Sequence, residues 1–203
     1  RMTGESVSFA TVIGLDAVAG AVGLMSDLVS MTPFHAYRDA GGVAQRMSTQ
    51  PQVITQPSPS MSAQTWKAQF VVGQMLWGNS IGYVVDTTTM GYPLTVEWVD
   101  NAQVSVVERA PFGAADWFIG GRQVDASRIV HVPGRYVRPG SIMGLAPLER
   151  FSETFGLALA ARRYGAEWFR DGASPSAVLQ SDQQITAEQA AEVKRRWMLP
   201  PKR

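Results

Sequence analysis

Between residues 7 and 31 apolar positions recur at helical spacing. Leu15, Val18, Val22, Met25 and Val29 fall on one stripe at 100° per residue, with Asp16 and Asp27 away from it. Ala10, Gly14, Ala17 and Ala21 form a band of small residues beside that stripe. A glycine inside a helix costs up to about 1 kcal/mol relative to alanine, so Gly14, Gly20 and Gly23 predict a second backbone close by. The expectation is one helix over 7–31, packed on two sides and ending before Pro33. It is no membrane anchor: the two aspartates leave only residues 17–26 uncharged between them, about 15 Å of helix against a bilayer core of about 30 Å. No basic stretch and cleavage site of a signal peptide precede it.

Residues 40–61 hold one charged side chain, Arg46, and prolines at 51, 57 and 59, which predicts an exposed, mobile loop. A second helix starts at the N-cap Ser62, with Met61 and Trp66 placed as a hydrophobic staple, and stops near Trp77 at Gly78-Asn79. Short segments rich in Val, Ile, Trp and Tyr follow at Ile81–Val85, Leu94–Val99, Val104–Glu108, Trp117–Ile119 and Ile129–Val132. Gly120-Gly121 reads as a two-residue hairpin turn. Strand follows strand with no helix between, so an α+β fold with an antiparallel or mixed sheet is expected. After a loop over 134–146, Pro147 suits the first position of a third helix running to about Arg170 and stopping at Asp171-Gly172. Thr186 and Gln189 form a capping box for a fourth, 187–197, ended by Pro200-Pro201.

Composition narrows the chemistry. The 203 residues contain no cysteine and two histidines, which removes disulfides, thiolate metal sites and a cysteine nucleophile. The net charge of +1 conceals an asymmetry: four Lys/Arg against seven Asp/Glu up to residue 100, and 14 against 10 after it.

Gly78-Asn79-Ser80-Ile81-Gly82 matches the G-x-S-x-G elbow of serine hydrolases, and His131 is the base such a site would use. The elbow needs strand, turn, helix; here the order is helix, turn, strand, so a helix C-terminal turn explains the residues better. His131 lies within a strand with no metal-ligand spacing around it, and reads as a half-buried sheet histidine. Gly20-x-x-Gly23 lacks a dinucleotide fingerprint and no P-loop occurs, so neither cofactor nor metal is expected.

The third helix carries the most information. Leu148, Phe151, Phe155, Leu159, Ala166 and Phe169 form one apolar stripe; Leu157, Ala161, Tyr164 and Trp168 form a nearly opposite one. Two opposed apolar faces require two neighbours, within one chain or between subunits. Arg163, Glu167 and Arg170 make a polar strip between them, spaced for mutual ion pairs. Arg162 points into the first stripe, which places it at a subunit contact or snorkelling outward.

The segment 144–197 resembles the portal proteins of tailed double-stranded-DNA bacteriophages. The resemblance rests on Gly156–Ala161 (GLALAA), Tyr164–Ala166 (YGA), Asp171–Ala173 (DGA) and the capped Thr186–Gln189, in that order. Upstream, the QPSP of residues 56–59 with Trp66, the LWGN of 76–79, and the PFHAYR of 33–38 after the first helix match the same family's pattern. Ala146 stands where the family has a capping serine, a weaker helix start.

The resemblance implies a non-enzymatic subunit of a ring of about twelve copies, closed head to tail at a capsid vertex. It implies a wing over 1–143, a channel-lining stem helix over 144–172 and the start of an α/β clip over 173–203, with the family's sequence continuing well past residue 203. The implied partners are further copies of itself, double-stranded DNA in the channel, a large terminase, a head–tail adaptor and a major capsid or scaffold protein. The implied location is the virion, with host cytoplasm during assembly. Arg163, Glu167 and Arg170 are then candidates to face the channel, and Arg162, Leu157, Tyr164 and Trp168 to meet a neighbouring subunit. Arg195, Arg196 and Trp197 are candidates to dock terminase or adaptor. The competing readings are an α+β hydrolase using Ser80 and His131, and another ring or adaptor protein of the virion.

Overall fold

A computed structural model describes residues 4–109, 114–170 and 186–198. The order of elements is α1 (Phe9–Val12), α2 (Asp16–Met31), β1 (Tyr37–Asp39), β2 (Ala44–Arg46), α3 (Gln52–Thr55), α4 (Ala63–Val72), β3 (Asn79–Thr87), β4 (Pro93–Trp98), β5 (Val104–Arg109), β6 (Ala114–Ile119), β7 (Arg122–Val124), β8 (Ile129–Pro133), α5 (Pro147–Arg150), α6 (Ser152–Arg170) and α7 (Ala187–Met198). The chain divides into two compact units, Arg1–Arg162 and Arg163–Arg203, with the division inside α6. Asp171, Gly172 and Pro200-Pro201, expected as helix stops, lie outside the described residues.

The expected first helix is two. Ser8 caps α1 by accepting from the Thr11 amide, and the helical path breaks at Ile13–Leu15 before α2 begins. α2 packs on α4 through Val22 and the buried Ser26, while Met25 of the predicted stripe is exposed. A Cβ at Gly20 or Gly23 would meet nothing within 4 Å, so the close backbone expected there is not found among the described residues.

α4 starts as the sequence predicts, with Ser62 Oγ accepting from the Thr65 amide. Its last turn, Gly73–Trp77, widens to a π-helix that closes on Gly78 in the left-handed region (φ 64°). The cause lies in the following strand. Gly73 abuts β3 so closely that a Cβ would stand 2.8 Å from Ser80 Oγ. That hydroxyl donates to the Phe70 carbonyl (2.6 Å), an acceptor of the α4 ladder just before it widens.

The strands form two antiparallel three-stranded sheets, β4-β3-β8 and β5-β6-β7, plus the ribbon β1-β2. β3 is the buried centre of the first, with Ile81 and Val84 in the core beside Val96 of β4, Val71 and Leu76. Gly82 has no room for a side chain: a Cβ would sit 2.6 Å from Val96 Cγ1. Trp66 and Trp98 lock α4 to β4, each indole N–H donating to a carbonyl across the junction (Trp66 to Val96, 2.6 Å; Trp98 to Trp66, 2.8 Å) with ring centroids 4.5 Å apart. Gly120 and Gly121, both at positive φ, turn β6 into β7.

The region 40–61 is not the exposed loop its composition suggests. It contains β2 and α3, and Pro57 and Ser58 are fully buried. The Pro57 carbonyl accepts from the Val96 amide (2.8 Å) and Ser58 Oγ donates to Glu97 (2.6 Å), fastening the segment to β4.

Candidate functional site

The G-x-S-x-G serine is placed where it cannot attack anything. Ser80 is 2% exposed, donates to the Phe70 carbonyl and accepts from Gln74 Nε2 (3.1 Å). In the β3–β8 register Ile81 faces His131, while Ser80 faces Val132. Directly paired residues share a face and neighbours alternate, so Ser80 and His131 lie on opposite faces of the sheet. The hydrolase reading fails on this geometry. His131 instead donates from Nε2 to Asn79 Oδ1 (3.0 Å), since Asn79 spends its amide hydrogens on the carbonyls of Trp77 (3.0 Å) and Gly144 (2.8 Å). Its ring meets Trp117 of the other sheet edge-on at 5.1 Å, and burial lowers its pKa from the ordinary 6.5. His35, the second imidazole, is exposed and accepts from Arg46 at Nδ1 (3.0 Å). Among the described residues no group of His, Asp or Glu is placed to hold a metal.

Three glycines converge behind Asn79. The Gly78 carbonyl accepts from the Gly134 amide (2.8 Å), and Gly144 lies so close that a Cβ there would collide with the same oxygen. Glu108 at the end of β5 holds the rest of loop 134–146: its Oε1 accepts from Ser141 Oγ (2.6 Å) and the amides of Ile142 (3.1 Å) and Met143 (3.4 Å). Those hydrogen bonds, Ser141's first, lower the Glu108 pKa from 4.5. The sequence hints at none of this network beyond the glycines themselves.

The loop feeds α5 and α6, where the residues of interest lie. Pro147 is the first residue of α5 and Ala146 provides no side-chain cap, both as expected. Phe151 (φ −105°, ψ 23°) then interrupts the expected continuous helix. On the first stripe Leu148 and Leu159 are buried and Phe155 is half-buried, but Phe151 and Phe169 are exposed. The second stripe is exposed throughout, with Leu157 at 65%, Tyr164 at 68% and Trp168 at 48%. Arg163, Glu167 and Arg170 are exposed as well. Arg162 turns back on its own chain and donates from Nη1 to the Gly14 carbonyl (2.5 Å), tying α6 to the break between α1 and α2.

In the second unit the capping box of α7 is present, with the Thr186 amide donating to Gln189 Oε1 (3.0 Å) and the Gln189 amide to Thr186 Oγ1 (3.3 Å). Arg195 is exposed and donates twice to Glu192 Oε2 (3.0 and 2.6 Å). Arg196 and Trp197 belong to α7, but their side chains lie outside the described residues. Among the described residues no helix is long and apolar enough to cross a membrane.

The chain is an α+β fold whose elbow-like serine is buried and whose longest helix among the described residues turns an apolar face outward. The family model for the phage portal protein matches residues 16–198, and the chain belongs to that family. A probable portal protein of Streptomyces phage phiC31 is 27% identical over 208 residues, covering 96% of this chain and 45% of that protein. The crystal structure of an HK97-family phage portal protein from Corynebacterium diphtheriae matches with a TM-score of 0.64 at 17% identity, over 93% of this chain and 59% of that one. A chain from the neck of an empty gene transfer agent particle, computed with C6 symmetry, matches with a TM-score of 0.65 at 16% identity, over 98% and 57%. The chain thus spans about half the length of the relatives it matches.

Proposed function

We propose that the full-length protein is a portal subunit. It closes into a ring of about twelve copies at the capsid vertex, through which double-stranded DNA enters and leaves. Family membership supports the reading, as does the likeness to chains from gene transfer agent necks, one computed with C12 symmetry. The observation that carries it is the uncovered stripe Leu157, Tyr164 and Trp168. Burying such side chains gains about 1.5–3 kcal/mol each, which a neighbouring subunit collects. In this arrangement 1–143 is wing, 144–172 stem and 173–203 the start of the clip. Arg163, Glu167 and Arg170 face the channel, where alternating charge lets the DNA backbone slide without a fixed register. Arg162 sits at the edge of the subunit contact. Arg195, Arg196 and Trp197 dock the terminase and later the head–tail adaptor, and the wing meets capsid or scaffold protein. The subunit has no catalytic role. It works in the virion after assembly in the host cytoplasm.

Light scattering with negative-stain imaging of the full-length product tests the reading. A ring with a central hole supports it, and a monomer at assembly concentrations sinks it. The channel assignment has its own test: reversing the charge of Arg163 and Arg170 should reduce DNA packaging while rings still form.

A further inference from the structure

A groove of about 420 Å³ opens between α1, the π-helical end of α4 and the turn after β4. Phe9, Trp77 and Trp98 line it, and Asp100 is the one charged residue on its wall. Its shape is a product of the local backbone. The π-turn that the Gly73–Ser80 approach forces belongs to this wall and carries Trp77. Asp100 Oδ1 accepts from the Ala102 amide (3.0 Å), while Oδ2 accepts no hydrogen bond among the described residues. Aromatic rings around a carboxylate with a spare oxygen recognise a cation that is flat and forked, which is an arginine rather than a lysine.

The same chain presents such an arginine elsewhere. Residues 126–148 contain three arginines and no acid. Within them Arg135 is exposed and makes no hydrogen bond or ion pair among the described residues, beside Tyr136 at 62% exposure. Its loop is held at the base by the Gly78–Gly134 bond and further along by Asn79 and Glu108. Arg135 is therefore offered on a braced support, which limits the entropy lost on docking. No residue of that loop lines the groove of its own chain, so the groove and the arginine are two separate, complementary patches on one molecule. Complementary but different patches generate head-to-tail contacts.

We infer that the aromatic groove at Trp77, Trp98 and Asp100 receives Arg135 of a second copy of this chain. The inference rests on the ring reading above and names one of its contacts. Oxygen Oδ2 of Asp100 and the guanidinium pair there, shielded by the aromatic walls.

Because these 203 residues hold no cysteine, a pair can be introduced cleanly within them. Full-length protein carrying Ala102→Cys and Tyr136→Cys, with Arg135 left in place, treated with a short bismaleimide, should give a ladder of covalent multimers on a denaturing gel. The control is each single cysteine variant, which should give no ladder. Asp100→Arg and Arg135→Asp should each raise the concentration at which rings dissociate by about tenfold, and the two together should bring it back. Rings that form normally without any ladder, or that ignore both reversals, overturn this contact and leave the ring reading standing. A full-length protein that remains monomeric overturns both.

Discussion

Asn79 holds both backbone groups of Gly144: its Oδ1 accepts from the Gly144 amide and its Nδ2 donates to the Gly144 carbonyl, each at 2.8 Å. One side chain thereby does what a neighbouring strand would do, 65 residues away in sequence. Its Oδ1 also accepts a hydrogen bond from His131 Nε2, so the end of the π-helix, β8 and the loop into α5 share one buried amide. Asn79→Ala would leave a buried donor and acceptor without partners, at a cost of about 2–4 kcal/mol. Urea unfolding should show that loss. Asn79→Asp should destabilise comparably, because a carboxylate cannot donate to the Gly144 carbonyl.

Gly78 is required twice over, by its φ of 64° and by the Leu145 carbonyl against which a Cβ would be driven. Gly121 has a similar φ of 77° with open space around it. The pair therefore separates two effects. Gly121→Ala should cost about 1–2 kcal/mol, the left-handed penalty alone. Gly78→Ala should cost more than that by a wide margin, read as a larger fall in Tm in the same buffer.

How legible such features are in a sequence depends on whether their cause is local. The Ser62 cap, the Gly78 stop, the Gly120-Gly121 turn, Pro147 and the Thr186–Gln189 box all act within a few residues, and the structure has each of them. The antiparallel order and the family likewise emerge from residue pattern. The ribbon β1-β2 escaped because its residues are polar and exposed, and Gln50 steadies it by bonding to Ala36 and Met47. Gly41-Gly42, both at positive φ, was the signal available. The π-turn has no pattern of its own, since it answers to Ser80 pressing on Gly73 across a turn. Ser58 was unreadable for the same reason: its partner Glu97 is 39 residues on. For the candidate site, the two-faced character of α6 was visible from periodicity. The inward bond from Arg162 to Gly14 was not.

Acid should weaken the fold in two stages. His131 is held neutral by burial, with a pKa below 6.5. The unfolded chain therefore takes up a proton first as pH falls, and stability begins to drop below about pH 6.5. Glu108 and Asp125 are held ionised by hydrogen bonds, from Ser141 and from the Ser127 amide first, so each contribution is present above the group's ordinary value and fades below it, from 4.5 for Glu108 and from 3.8 for Asp125. Denaturant midpoints measured across pH 7 to 3.5 should show both slopes. His131→Gln should flatten the upper one and Glu108→Gln reduce the lower one; a midpoint unchanged from pH 7 to 5 in the parent protein would contradict the first assignment.

The exposed stripe of α6 makes a prediction in which folding and assembly part company. Leu157 and Tyr164 are about two-thirds exposed, and neither side chain makes a hydrogen bond within the described residues. Replacing them in the single chain should change unfolding free energy by no more than about 0.5 kcal/mol, the ordinary range for surface positions. Assembly should respond quite differently. A carboxylate at either position would have to be dehydrated in an apolar contact, at a cost of several kcal/mol for each interface it enters. In a closed ring every interface carries the same substitution, so the cost is repeated at each subunit. Full-length Leu157→Glu or Tyr164→Glu should therefore sediment as a folded monomer with an unchanged urea midpoint under conditions where the parent forms rings. Leu159 supplies the contrast: it is buried in its own chain, so Leu159→Ala should lower the urea midpoint, by about 2–5 kcal/mol of stability, before any assembly is considered. Rings that persist in Leu157→Glu would mean that this face meets solvent or another partner, not a second copy.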